Sequence, residues 1–182
     1  MRMLFAFVML LHTYVAEAQE KLLGSPAPAW LIGKADWQNA KPLKLEHLRG
    51  KAVLVRWWTA PGCHFCKASA PALNAFHEKF AARGLQVIGF YHHKSDAPLV
   101  PAQVKDWTAE FGFKFPVAID QDWRTLRKWW LSHNERAWTS VTFLIDRKGI
   151  IRHIHPGGQY VEGDTAHAAL SAAIEKLLAE KD

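Results

Sequence analysis

The sequence predicts one α/β domain with a central mixed sheet flanked by helices. Three observations carry that expectation. The 182 residues fill a single compact unit, and 49% hydrophobic against 22% charged residues is enough apolar material for a packed core. Short β-rich runs alternate with segments of helical spacing, the pattern of parallel strands joined by crossover helices. The last two strands flank Arg147-Lys148-Gly149, a hairpin turn, which adds an antiparallel pair at the end.

Residues 1–18 are set apart from the domain. Arg2 gives a positive start, Leu4 to Leu11 an apolar stretch, and Ala16-Glu17-Ala18 a small-x-small site before Gln19, the three-part layout of a secretory signal peptide. The domain then runs over 19–182. Its lead-in, 19–50, carries Pro26, Pro28, Gly33, Pro42 and Gly50 and reads as irregular chain with one hairpin. Ala52 to Trp58 is apolar enough for a buried central strand. Phe65 to Arg83 repeats apolar residues at helical spacing (Ala68, Leu73, Phe76, Phe80), and Gly84 stops it.

Leu85 to Tyr91 is the second strand, Val104 to Phe111 a short helix, and Pro116 to Ile119 a short strand. Trp123 to Leu131 is another helix. Val141 to Asp146 and Ile150 to Ile154 are the hairpin strands. Asp164 caps a final helix whose Leu170, Ile174, Leu177 and Leu178 share one face.

Composition narrows the function classes. Lys and Arg outnumber Asp and Glu by 23 to 17, but the excess is dispersed without a basic stripe or a recognisable module, so no nucleic acid is expected as a partner. The longest apolar run, Met3 to Leu11, has nine residues, too few to span a bilayer.

The chemistry-bearing motif is Cys63-His64-Phe65-Cys66, the two cysteines of the chain, placed where a strand gives way to a helix. A structural staple would join distant segments, since closing so short a loop removes little unfolded-state entropy. A helix N-terminus favours an anion, so a thiolate at Cys63 is stabilised there, and Cys66 one turn on faces the same way and can attack a mixed disulfide formed at Cys63. A redox dithiol, a metal site and inert or structural cysteines remain open alternatives. A metal would need ligands beyond the two thiolates. His92 and His93, at the end of the second strand, are the candidates to complete a copper or zinc site, or else form a solvated strand end. His64, between the cysteines, stabilises the thiolate if cationic, or is simply an exposed residue of the helix start.

With these residues in place a resemblance emerges. Val53 to Trp58, the CxxC pair and Pro71 five residues after it resemble the thioredoxin fold. Gly84 to Gly89, the Thr142-Phe143-Leu144-Ile145-Asp146-Arg147-Lys148-Gly149 segment and the opening Leu23 to Trp30 are similar to the exported TlpA-like thiol–disulfide oxidoreductases. The resemblance implies a thioredoxin-like fold and a periplasmic or secreted enzyme. Cys63 is then the nucleophile and Cys66 the resolving cysteine, working without a cofactor on cysteine-containing protein substrates and with a thiol/disulfide redox partner. The alternative is a copper- or zinc-binding metallochaperone using the same cysteines.

The chain departs from that family at three places. Ser140 stands where the family has a cis-proline, Arg56 stands where thioredoxins carry a buried acid, and Trp58 is one residue farther than usual from the first cysteine. Trp58, His64, Arg56 and Ser140 are therefore the supporting site residues. Trp129, Trp130 and Trp138 fall near the Ser140 loop, and most of the nine tryptophans are expected in the core or covering it. A peroxidase of the peroxiredoxin type would want threonine at the position of Ala60.

Overall fold

A computed structural model describes residues 21–133 and 138–180. The expected signal peptide, 1–18, lies outside the described residues. Six strands form one sheet: β1 (Trp37–Gln38), β2 (Ala52–Trp58), β3 (Leu85–Tyr91), β4 (Val117–Ile119), β5 (Thr142–Ile145) and β6 (Ile151–His155), in the spatial order β1-β4-β3-β2-β5-β6. β2, β3 and β4 run parallel, and β5 and β6 add antiparallel partners beside β2. The mixed sheet and its terminal hairpin match the expectation. The lead-in does not: it forms 3₁₀ turns and the two-residue edge strand β1, which pairs with β4 instead of closing a hairpin of its own.

Alternation along the strands divides the core into two layers. Leu54 and Trp58 of β2 and Val87 and Tyr91 of β3 join the cluster under α1 (His64–Phe80), α2 (Pro101–Glu110) and α4 (Thr165–Ala179). Val53, Val55 and Trp57, with Ile88 and Phe90, meet the opposite layer, built from Trp30, Leu45, Leu48, Leu126, Trp129 and Trp130. Every residue of β2 is buried, the property of a central strand covered on both faces. Among the described residues no helix is long and apolar enough to cross a membrane.

The segment after β4 departs furthest from its sequence pattern. Where one helix is expected over Trp123–Leu131, the chain makes a 3₁₀ turn (Gln121–Trp123), a three-residue helix α3 (Arg124–Leu126) and a π-helical turn (Arg127–Leu131). The buried carboxylate of Asp120 organises it. Its Oδ1 accepts from the Thr125 amide at 2.8 Å, and its Oδ2 from the Leu126 amide at 2.7 Å and from Trp57 Nε1 at 3.0 Å. The carboxylate thus caps the start of α3 and ties it to the central strand. α4 is capped as expected, Asp164 Oδ1 accepting from the His167 amide at 2.6 Å.

Asp120→Ala leaves three buried donors without a partner and is expected to lower stability by about 3 kcal/mol. Urea unfolding followed by tryptophan fluorescence measures this. A loss under about 1 kcal/mol would show that water or a rearranged backbone replaces the carboxylate.

Candidate functional site

The site forms where β2 leaves the sheet. Trp58 ends the strand, and its indole is enclosed by Tyr91, Phe111 and Phe113 at centroid distances of 5.1, 5.4 and 5.3 Å. Thr59 to Gly62 then turn the chain outwards, with Gly62 at φ 86° and a cis bond between Ala60 and Pro61. The Tyr91 hydroxyl donates to the Ala60 carbonyl at 3.2 Å and fastens this turn to β3.

Cys63 occupies the N-cap of α1, and its sulfur accepts from the Cys66 amide at 3.2 Å. The two sulfurs form a disulfide, with Cα atoms 5.3 Å apart. Their exposures differ: Cys63 is half-buried, while Cys66 is 2% exposed and packs with Trp58, Ala60 and Ala70. One sulfur therefore faces incoming partners from a helix N-terminus, and the other waits behind it in the core. Pro71 lies inside α1, where it cannot donate to the Lys67 carbonyl.

A cleft of about 260 Å³ opens beside the disulfide, lined by Thr59, Cys63, Cys66, His92, Trp138 and Ser140 among others. A second, of about 360 Å³, lies on the other side of Cys63 against Trp107 and Phe111. Trp138 is 60% exposed and meets Phe65 edge to face at 5.4 Å, whereas Trp129 and Trp130 are buried. Gly157, at φ 136°, touches the Trp138 side chain so closely that a Cβ there would collide with it. A side chain at 157 would displace that wall of the cleft.

Ser140 lines the cleft next to the cysteines, and the Thr139–Ser140 bond is trans, since Ala60–Pro61 is the one cis bond among the described residues. Its hydroxyl accepts from the Gly158 amide at 3.1 Å. Arg56 is buried on β2. Nη1 donates to Thr142 Oγ1 at 3.1 Å, Nη2 donates to the Gly158 carbonyl at 2.6 Å, and the guanidinium lies 4.9 Å from the Tyr160 ring centre. Burial lowers its pKa, and the Tyr160 hydroxyl opposes this. The buried cation thus holds the Gly158 turn that holds Ser140. His64 is exposed and packs on Phe65 at 3.9 Å.

The two histidines after β3 separate. His93 is held by the Tyr91 hydroxyl at 3.0 Å on one ring nitrogen and by the Ala97 carbonyl at 2.7 Å on the other, so it does not join the cysteines. His92 is fully buried rather than solvated and lines the disulfide cleft. The alternative ligand set of both cysteines and both histidines is therefore not assembled. Among the described residues no group of three or more His, Cys, Asp or Glu stands ready to hold a metal. The burial of His92 was legible in part: it continues the alternation of Ile88 and Phe90 into the covered face of the sheet.

Burial first, then Lys94 and Arg56, push His92 down from 6.5 to about 3, the nearby Trp58 carbonyl opposing. Burial first, then Arg56 and His153, push His155 down to about 4, against Asp164 and the Gln159 backbone.

The AhpC/TSA family model matches residues 23–154. The chain is 34% identical over 137 residues to protein DipZ of Mycobacterium tuberculosis, covering 74% of this chain but only 18% of that protein. It is 25% identical over 160 residues to the thiol-disulfide oxidoreductase YkuV of Bacillus subtilis, covering 88% of this chain and 99% of the relative. Among solved structures, a thiol-disulfide isomerase from Corynebacterium glutamicum superposes with a TM-score of 0.67 at 29% identity, over 85% of this chain and 98% of that one. A DsbE-type thiol:disulfide interchange protein from Chlorobium tepidum gives 0.68 at 25% identity, over 86% and 97%.

Folded His92 and His155 stay neutral where the unfolded chain's histidines already bind protons. Their contribution to stability is therefore complete above pH 6.5 and is lost as the pH falls through the window from 6.5 towards about 3 to 4. Urea unfolding of the oxidised protein at pH 7, 5 and 4 is expected to show that decline, and His92→Gln to flatten it. Equal slopes in both proteins would contradict the assignment.

Proposed function

Since the chain belongs to the AhpC/TSA family, we propose that it is an exported thiol–disulfide oxidoreductase working through Cys63 and Cys66. The shared region is a thioredoxin-like oxidoreductase domain, aligned with named thiol-disulfide oxidoreductases over most of this chain. Cys63 is the nucleophile and Cys66 the resolving thiol. The observation that carries this assignment is their unequal burial: the half-buried N-cap sulfur meets a partner, and the 2% exposed sulfur one turn inside reaches only the mixed disulfide that forms on it.

In the reducing direction the Cys63 thiolate attacks a substrate disulfide, one substrate sulfur leaves as a thiolate, and a mixed disulfide remains on Cys63. Cys66 then attacks Cys63, re-forms the internal disulfide and releases the second substrate sulfur. The pair loses two electrons and the substrate gains them. A thiol/disulfide partner resets the pair, and the reverse sequence donates a disulfide. Cysteine-containing proteins are the substrates, and the two clefts flanking Cys63 are where a substrate segment would lie. Export rests on the N-terminal sequence pattern and places the enzyme in the periplasm or outside the cell.

Cys63→Ser and Cys66→Ser are each expected to abolish turnover of a protein disulfide, and only Cys66→Ser to accumulate a mixed disulfide, through Cys63. Non-reducing electrophoresis and peptide mass spectrometry read the result. Turnover in either variant, or a substrate trapped on Cys66, would overturn the assignment.

A further inference from the structure

Cys66 must become a thiolate to resolve the mixed disulfide, and it must do so while 2% exposed, where bulk water is a poor proton acceptor. The residues lining its cleft provide few alternatives. Arg56, behind them, is a guanidinium with no lone pair to offer. The Ser140 hydroxyl is engaged by the Gly158 amide. Lys94 and His64 are exposed. His92 remains: a buried imidazole lining the cleft with both cysteines, and neither ring nitrogen meets a partner in hydrogen-bonding geometry. An orphaned polar group in a core is unfavourable unless something else uses it.

The surroundings hold His92 in place. Its backbone amide donates to the Trp58 carbonyl at 3.0 Å, and Trp123 stands edge-on to its ring, with centroids 5.2 Å apart and planes at 85°. Trp123 adopts φ 58°, a left-handed conformation that a bulky residue rarely takes, and its indole N–H donates to the His93 carbonyl at 2.7 Å. The Trp123 amide donates to the Asp120 carbonyl at 3.2 Å, joining this clamp to the cap of α3. Strained backbone of this kind persists where packing over-determines it, and here the Asp120 cap and the apolar layer that holds Trp123 set its ring against His92.

We infer that His92 is the proton-transfer residue for Cys66, with Trp123 positioning it. The inference rests on the reading of Cys63 and Cys66 given above. During resolution a ring nitrogen of His92 takes the Cys66 thiol proton, and the Cys66 sulfur attacks Cys63. The Cys63–Cys66 bond forms as the bond from Cys63 to the substrate sulfur breaks. The electron pair leaves on that sulfur, which collects the proton from His92. Run backwards, the same exchange protonates Cys66 as the internal disulfide opens.

The charges around the ring suit a base that fills only on demand. In the disulfide state Lys94, two residues along the chain, and Arg56, on the neighbouring strand, both oppose a proton on His92, and burial opposes it more. A thiolate at Cys66 reverses that balance, because an anion in the same cleft favours the imidazolium. The proton moves to His92 only when the sulfur needs to lose it.

Ellman's reagent separates the two steps. The reduced protein releases one thionitrobenzoate as Cys63 attacks and a second as Cys66 resolves. With His92→Gln, stopped-flow absorbance at pH 7 is expected to show the second release slowed at least about tenfold and the first within about twofold of wild type. The slowed step of the variant should climb with pH towards 9, as hydroxide takes over the proton, while that of the wild type stays flatter. His92→Phe, which fills the space without a base, should reproduce the defect. An unchanged second release in His92→Gln, or an equal fall in both steps, would overturn the inference. A wild-type protein that never releases the second equivalent would instead overturn the exchange reading on which it stands.

Discussion

Complete burial of β2 is the constraint from which the reactive edge follows. β3 and β5 pair with its two sides, and apolar layers cover its two faces, so the chain can emerge only past Trp58. Tyr91 anchors the turn that follows through the Ala60 carbonyl, and α1 begins at once. Cys63 therefore falls on a helix N-cap, and helical geometry carries Cys66 into the core beneath it. The difference between a sulfur that meets partners and one that does not is a consequence of strand and helix placement, with no further device required.

The same strand supplies the second layer of the site. Arg56 is a buried cation, normally an unfavourable arrangement, and its two terminal nitrogens are held by a threonine hydroxyl and a carbonyl, with a tyrosine face beside them, rather than by a carboxylate bond, while Nε has no partner. Its bond to Gly158 transmits the position of β2 to the loop carrying Ser140 and Trp138, while Gly157 leaves room for the indole. On the other side Asp120 links Trp57 of β2 to the turn that bears Trp123. The walls of the disulfide cleft are thus both referred back to one strand.

Much of this was legible in the residues. Alternating strand and helix patterns, the hairpin at Arg147-Lys148-Gly149 and the Asp164 cap all have local causes, and they appear as expected. CxxC at a strand-to-helix junction was equally clear. β1 was not, because two residues carry no periodicity. The broken helix after β4 was hidden for another reason: its apolar spacing is helical, and only the distant indole of Trp57 and the Asp120 carboxylate explain why Trp123 turns left-handed. The two adjacent histidines read as a pair, yet strand alternation sends their rings apart, one into the cleft and one to Tyr91.

A working exchange pair and a structural staple differ most directly in reduction potential. Equilibrating the protein in glutathione or dithiothreitol buffers of graded composition, and quantifying the Cys63 and Cys66 thiols after acid quench and alkylation, gives the midpoint. The account predicts a single two-electron transition between about −270 and about −120 mV, the range bounded by thioredoxin and by strong disulfide donors. A midpoint below about −300 mV, the region of structural disulfides, would contradict it.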